Sequence, residues 1–245
     1  MTFDKRTIAG ALMAVLFCSP LLHADVLSDC TQALSPRLAI EGCTRLADEQ
    51  STNDEQVAMA FNNRGNAHAA MGRTDLALDD YSRAIALNPH YAKAYYNRGS
   101  TYLEVAEFSR AIADFDVAVK LVPDLSDAYS NRGLAHLQSG SLENAVEDFT
   151  AAIGLDPLSA HAYNNRAVAW RKLGQAERAL VDLSNAIQLI TGYVGALNNR
   201  GEVLADLGRT EEAAADFRNV LALDPSHSRA AENLRQLERE IAGKP

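Results

Sequence analysis

The 245-residue sequence is poor in the residues from which metal sites and catalytic centres are built. Its three cysteines and six histidines are scattered, and no group of them has the spacing of a zinc site. Its 14 glycines form no phosphate-binding loop, because each falls within or between predicted helices and none follows a strand. We therefore predict a protein that is not an enzyme and that uses neither a metal nor a small-molecule cofactor.

Long apolar runs are also missing, except at the N-terminus. There, Lys5 and Arg6 precede an apolar run that ends at Leu22, and Ala24 offers a small residue at a cleavage point. This order is typical of a secretory signal, so we predict that residues 1–24 are removed by cleavage after Ala24. The alternative is an uncleaved anchor, although the run is short for a bilayer span of about 20 residues.

The chain is acidic, with 32 Asp and Glu residues against 23 Lys and Arg residues and a net charge of −9. Removal of Asp4, Lys5 and Arg6 with the signal leaves 31 acidic and 21 basic residues, and hence a net charge of −10. Such a surface disfavours nucleic acid and anionic membrane as partners. We expect membrane contact only through the signal segment, if it stays uncleaved.

The feature that organises the chain is a three-residue motif, Asn-Arg-Gly or Asn-Arg-Ala, that recurs every 34 residues. Twelve residues after its small third residue stands an alanine, and four residues further on stands an aromatic residue or leucine. A proline closes four of the five units. The motif occurs at 63–65, 97–99, 131–133, 165–167 and 199–201.

By these residues, the region 58–227 resembles tetratricopeptide repeats, whose interval is 34 residues. The resemblance implies an all-α protein, a right-handed α-solenoid of five helix–turn–helix repeats. Counted from each first residue, positions 4, 8 and 11 lie on one face of a first helix, and positions 20, 24 and 27 lie on one face of a second. The predicted repeats are 58–91, 92–125, 126–159, 160–193 and 194–227.

Two atypical units flank the repeats. For residues 228–245 we predict a capping helix with one apolar stripe. For residues 25–57 we predict a degenerate N-terminal cap repeat. In its register Cys30 and Cys43 fall at positions 11 and 24, which face each other across the hairpin. In an exported chain this favours a disulfide, with two buried thiols as the alternative.

Arginine recurs at position 7 and aspartate at position 23 of all five repeats, for example as Arg132 and Asp148. A partly buried guanidinium needs a partner, and a carboxylate suits its planar geometry. We therefore predict a column of structural ion pairs, with an arginine stripe for anionic ligands as the weaker alternative. Adjacent acids such as Asp79-Asp80 and Glu147-Asp148 are expected on solvated faces. His68 and His136, at position 11, are expected to be core or half-buried residues rather than ligands.

The asparagine at position 6 is the main candidate for function. In tetratricopeptide stacks this side lines the concave surface, and similar asparagine ladders in related solenoids hold an extended peptide backbone. A primary amide offers a donor and an acceptor that match one peptide unit. The alternative is that each amide bonds to a neighbouring helix. The predicted groove residues are Asn63, Asn97, Asn131, Asn165 and Asn199, with Lys93, Tyr96 and Lys172 beside them.

These observations predict a non-catalytic scaffold that binds a protein or an extended peptide segment in its concave groove. The signal predicts a periplasmic or secreted location in a bacterium. The alternative is an envelope assembly or self-association factor that works through its edges or its convex face. If the asparagines contact only ligand, replacing them with alanine should weaken binding and leave the melting temperature near that of the parent.

Overall fold

The protein is an all-α stack in the computed structural model, which describes residues 28–31, 35–48 and 53–242. The predicted signal and its cleavage site lie outside these described residues. None of the helices in these ranges combines the length and the hydrophobicity of a transmembrane span. After a helical turn at 28–31, the helices are α1 (Pro36–Asp48), α2 (Asp54–Ala70), α3 (Thr74–Leu87), α4 (Ala92–Glu104), α5 (Phe108–Leu121), α6 (Ser126–Ser139), α7 (Leu142–Leu155), α8 (Ala160–Lys172), α9 (Ala176–Leu189), α10 (Val194–Asp206), α11 (Thr210–Leu223) and α12 (Ser228–Ala242).

The helices pack in successive antiparallel pairs. The pairs α2–α3, α4–α5, α6–α7, α8–α9 and α10–α11 form the five repeats, and each first helix also packs on the second helix of the preceding repeat. The first helices of neighbouring repeats touch one another. Since each repeat contacts only its neighbours, the stack is held together by nearest-neighbour interfaces. This confirms the predicted solenoid.

A small residue at position 8 makes room for an aromatic ring at position 24. A Cβ atom added at Gly201 would lie 2.8 Å from the Cε1 atom of Phe217. In the fourth repeat the position-8 residue is Ala167, and its partner at position 24 is Leu183 instead of a ring. The two positions therefore vary together, as close packing of the hairpin requires. The ring contact also occurs at Gly65, Gly99 and Gly133.

Glycine ends the first helix where the chain needs a left-handed residue. Gly140 has φ +87°, and the following Ser141 N–H donates to the His136 carbonyl over 2.8 Å. The second repeat places Ala106 at this point with φ +60°. An alanine accepts this conformation at a cost of about 1–2 kcal/mol, so glycine is preferred at the turn but not required.

Two segments depart from the regular pattern. The connection 190–193, which lacks the closing proline, has four residues like the others, so it does not disturb the register. By contrast, α2 begins at Asp54, four residues before the predicted first repeat. The side chain of Asn53 caps it by accepting the Gln56 N–H over 2.9 Å. The residues between Asn53 and Ala58 therefore extend α2 by one turn.

The ends of the stack are closed differently. At the N-terminal end, the Sγ atoms of Cys30 and Cys43 lie 2.13 Å apart, so a disulfide joins the turn at 28–31 to α1. At the C-terminal end, Ala230 and Leu237 of α12 are buried against the core of the last repeat. The opposite side of α12 is exposed.

Candidate functional site on the first helices

The position-7 arginines belong to the scaffold. Arg132 donates from Nε to Asp148 Oδ2 over 2.9 Å and from Nη2 to Asp148 Oδ1 over 2.5 Å. The Arg132 side chain is 18% exposed and the Asp148 side chain 7%. The predicted pairing is therefore confirmed. The same two-bond pairing occurs in Arg64–Asp80, Arg98–Asp114, Arg166–Asp182 and Arg200–Asp216.

These arginines also join successive repeats. Arg98 Nη1 donates to Ser82 Oγ over 3.0 Å, on the second helix of the preceding repeat, and its guanidinium lies over the ring of Tyr95. In the fifth repeat Leu197 replaces the ring, and Arg200 is more exposed, at 28%. Hydrogen bonds to the paired aspartates raise the arginine pKa in four of the pairs, those of Arg64, Arg98, Arg132 and Arg200.

The prediction that adjacent acids lie on solvated faces is wrong for one member of each pair. Asp79 is exposed, but Asp80 is only 2% exposed because it accepts both bonds from Arg64. Likewise Glu147 is exposed and Asp148 is buried. Neighbours in sequence point about 100° apart on a helix, so one acid reaches water while the other meets the arginine.

The position-11 histidines lie against the same aspartates. His68 is buried, and its Nε2 atom is 3.9 Å from Asp80 Oδ2. Burial lowers the pKa of His68, against an opposing effect of the Asp80 charge. His136 is placed similarly, 3.9 Å from Asp148. Both histidines pack in the stack, as the sequence predicts.

The position-6 asparagines lie on the side of α2, α4, α6, α8 and α10 that we call the inner face, where first helices of neighbouring repeats meet. Three of them donate an amide N–H to position 5 of the preceding repeat, and Asn131 also donates to Ser100 Oγ over 3.4 Å. The acceptors are Asn62 Oδ1 for Asn97 at 2.8 Å, Tyr96 Oη for Asn131 at 3.1 Å and Asn164 Oδ1 for Asn199 at 2.9 Å.

The other two asparagines are held at the opposite end of the amide. Asn63 Oδ1 accepts from Asn62 over 3.2 Å, and Asn165 Oδ1 accepts from Asn164 over 3.3 Å. Within the described ranges their own Nδ2 groups have no acceptor. For Asn165 the reason is that position 5 of the preceding repeat is Ser130, whose side chain is short.

The asparagines therefore retain complementary hydrogen-bonding capacity. All five are half-buried. Among the described residues, no donor reaches the Oδ1 atoms of Asn97, Asn131 and Asn199, and no acceptor reaches the Nδ2 atoms of Asn63 and Asn165. Such an arrangement can receive the N–H and C=O groups of an extended backbone.

The remaining predicted groove residues are spread over two repeats. Lys93 is exposed near the start of α4. Tyr96 is half-buried, accepts the Asn131 bond and packs against Phe115 with ring centroids 6.0 Å apart; burial raises its pKa. Lys172 lies at the far end of the stack, where it lines a cavity together with Asn199.

This cavity, of about 450 Å³, lies between α8, α10 and α12, and we call it the C-terminal cavity. Its central group is Glu202, which is 5% exposed and is not among the residues predicted from the sequence. Glu202 accepts a hydrogen bond from Arg171 Nη1 and, over 2.9 Å, one from Arg229 Nη2. It is the only acid at position 9 of the five repeats, and that is the signal which could have revealed it. The cavity is defined here by Val168, Arg171, Lys172, Asn199, Glu202 and Arg229.

Within the residues that the structure describes, no group of three or more His, Cys, Asp or Glu side chains could hold a metal ion. The fold and the inner face define the class of the protein, a helical-repeat scaffold. Sequence models of the TPR repeat match residues 58–105, and models of the tetratricopeptide repeat match 97–160, 130–195 and 194–227. The chain belongs to the tetratricopeptide repeat family.

Solved tetratricopeptide structures share the fold at low sequence identity. YrrB, "a TPR protein with an unusual peptide-binding site", is 20% identical with a TM-score of 0.69, over 80% of this chain and 100% of that chain. MamA from Desulfovibrio magneticus RS-1 is 20% identical with a TM-score of 0.66, over 70% and 97%. The thermophilic protein TTC0263 from Thermus thermophilus is 22% identical with a TM-score of 0.57, over 74% and 99%. No curated protein matches the chain in sequence.

Proposed function

We propose that the protein is a non-catalytic scaffold that binds an extended protein segment along the inner face. The observation that carries this is the state of the asparagine amides. Hydrogen bonds to the scaffold hold each amide in place, through Nδ2 in three asparagines and through Oδ1 in the other two, and the opposite end of each amide has no partner among the described residues. A group that is already oriented loses little entropy when a ligand binds, so even single hydrogen bonds add usefully to affinity.

The spacing of the asparagines suits an extended chain. Packed helices lie about 8–10 Å apart, and an extended chain rises about 3.3 Å per residue. Successive asparagines would therefore meet every third residue, and five of them would span a segment of about 12 residues. Because backbone contacts carry little sequence information, specificity would come from neighbours such as Lys93, Tyr96 and Lys172.

We propose a periplasmic or secreted location. The Cys30–Cys43 disulfide supports it, since disulfides persist in oxidising compartments. The basic start and apolar run of residues 1–24 support it as well. The acidic composition favours a protein partner over nucleic acid.

The test begins with selection of a binding peptide of about 12 residues from a displayed random library. The affinity of that peptide is then measured on a variant with Asn63→Ala and Asn165→Ala. Neither Nδ2 group is bonded within the described scaffold, but the variant removes the Oδ1 acceptors of the Asn62 and Asn164 amides, so it should lose about 1 kcal/mol of stability for each bond. It should bind the peptide about 5–150-fold more weakly, because each of the two lost hydrogen bonds to the peptide contributes about 0.5–1.5 kcal/mol.

Asn144→Ala is the matched control, because Asn144 is exposed on the second helix α7, away from the inner face. It should leave the affinity unchanged. Selection that yields no binding peptide, or equal affinity for parent and double variant, would overturn the proposal.

A second candidate, association through the edge of the stack, is supported by one observation. Exposed aliphatic residues recur at or beside the loops that join successive repeats, and Leu158 is 75% exposed. An edge-assembly role predicts a concentration-dependent oligomer in analytical ultracentrifugation that Leu158→Lys dissolves. A monomer at all concentrations favours the inner-face function. The residues concerned are Leu87, Val122, Leu155, Leu158, Ile190 and Leu223.

A further inference from the structure

The C-terminal cavity combines apolar walls with charged groups at its edge. Its volume of about 450 Å³ falls in the range of about 300–1,000 Å³ that ligand pockets occupy in proteins. Val168 and Ala167 of α8 and Val203 of α10 contribute apolar wall. A wall of this kind favours an aliphatic side chain, which gains from leaving water.

The charged groups are built into the site. Glu202 is buried and holds two guanidinium groups at the cavity. Arg229 donates to it from Nη2 over 2.9 Å and forms an ion pair with it at an Nε–Oε1 distance of 2.7 Å, and Arg171 donates from Nη1. Arg171 also donates from Nε to Asp206 over 2.6 Å. Each guanidinium has five N–H donors, so at least three on each arginine are unused by these bonds.

The balance of charge at the cavity is positive. The cavity is lined by three positive side chains, those of Arg171, Lys172 and Arg229, and by two negative ones, those of Glu202 and Asp206. Its net charge is therefore +1, in a chain of net charge −9. Lys172 is exposed and has no ion-pair partner among the described residues. An acidic group on the ligand is therefore the complementary one.

The residue at position 9 distinguishes the C-terminal cavity from the earlier repeats. Position 9, which Val168 and Glu202 occupy at the cavity, is Asn66 in the first repeat, Ser100 in the second and Leu134 in the third. The inner face thus changes along the stack from polar to aliphatic to charged. A ligand that lies along it would meet a different environment at each end, and this fixes its direction.

We propose that the C-terminal cavity is the specificity site of the inner face and takes a peptide segment in which an aliphatic side chain adjoins an acidic one. The aliphatic side chain lies against Val168 and Val203. The carboxylate receives hydrogen bonds and charge from Lys172 and the two arginines, which Glu202 holds in position. This inference rests on the proposed binding of an extended segment.

The test uses three octapeptides with blocked ends and the purified full chain. The probe is acetyl-Ser-Gly-Ser-Leu-Asp-Ser-Gly-Ser-amide; the second peptide has Asn in place of Asp, and the third has Ser in place of Leu. Affinities and contact sites come from ¹⁵N-resolved NMR titrations. The probe should bind at least about tenfold more tightly than either analogue, and it should shift signals of α8, α10 and α12.

Lys172→Gln should weaken binding of the probe about tenfold and remove its advantage over the Asn peptide. Lys120→Gln, the same change at an exposed lysine of the second helix α5, is the matched control and should have no effect. Val168→Glu should abolish binding of the probe, with the melting temperature recorded to show that the fold persists.

The inference is overturned if the three octapeptides bind equally, if the shifted signals lie elsewhere, or if the probe does not bind at about 1 mM. Failure here is distinguishable from failure of the proposed function. A library-selected peptide that responds to the Asn63 and Asn165 changes but not to Lys172→Gln leaves the proposed function standing and removes this site.

Discussion

Replacing Arg132 with methionine is the most informative perturbation of the scaffold. Methionine keeps an apolar stem that can pack beside Tyr129, whose ring lies 5.4 Å from the Arg132 guanidinium. It leaves Asp148, whose side chain is 7% exposed, without the partner that donates two hydrogen bonds to it. Leaving one charge of a buried pair uncompensated costs about 3–5 kcal/mol.

We expect the lower end of that range, about 3 kcal/mol, because part of the Arg132 side chain reaches solvent. The exposed contact with Asp116, over 2.7 Å, adds less than about 1 kcal/mol. For a chain of this size, a loss of about 3 kcal/mol lowers the melting temperature by about 6–12 °C. Urea unfolding followed by circular dichroism should show a lower midpoint with an unchanged slope.

Two further variants test the reasoning. Arg83→Met removes an exposed pair with Asp79, in which the side chains are 55% and 56% exposed, and it should cost less than about 0.5 kcal/mol. Adding Asp148→Leu to Arg132→Met removes the stranded charge and should recover most of the loss. A loss below about 1 kcal/mol for Arg132→Met, or a double variant no more stable than the single one, would refute the account of a buried pair.

Three other predictions follow from the packing. Gly201→Ala should lower the free energy of unfolding in urea by about 1–3 kcal/mol. Adding Phe217→Leu should recover most of this loss, because alanine with leucine is the pair found in the fourth repeat. Equal losses in the single and double variants would contradict this. Reduction of the Cys30–Cys43 bond should destabilise the cap by about 3 kcal/mol, and alkylation of both thiols without prior reduction would refute the bond. Burial lowers the pKa of His68, so the unfolded state takes up the proton at a higher pH than the folded state does. The contribution of His68 to stability is therefore full above its unfolded pKa of about 6.5, and it falls as the pH drops below that value. His68→Leu should therefore flatten the dependence of the unfolding midpoint on pH between about 7 and 5.5, and an unchanged slope would contradict the assignment.

The stack and its ion pairs could be predicted from the sequence because they repeat. Each depends on residues at fixed positions within one 34-residue unit, as Arg132 and Asp148 do, and five copies repeat the same relation. The chemistry is also restrictive, since a partly buried guanidinium requires a carboxylate within reach.

The bonds of the asparagines could not be predicted in the same way. Their partners lie at position 5 of the preceding repeat, and that position varies from Asn62 to Tyr96 to Ser130. Whether an amide is tied to the scaffold therefore depends on a pair of residues 35 apart. The expectation that alanine at Asn97 or Asn131 leaves melting unchanged is revised accordingly, to a loss of about 1 kcal/mol for each.

The C-terminal cavity could not be predicted from the sequence for a different reason. Glu202, Arg171 and Arg229 come from three helices, and no earlier repeat has the same residues at the equivalent positions. A periodic pattern cannot indicate a cluster that occurs once. Only the packing of α12 against α10 brings Arg229 to the cavity.

Binding of an extended backbone along the inner face can be tested by changing that backbone. In a library-selected peptide of about 12 residues, single amide bonds are replaced in turn by esters, which lack the N–H group. Binding is measured calorimetrically on the parent and on Asn97→Ala, Asn131→Ala and Asn199→Ala. The account predicts that some esters lose about 0.5–1.5 kcal/mol on the parent, and that each such loss disappears on one asparagine variant. Ester losses that are the same on the parent and on all three variants would contradict it.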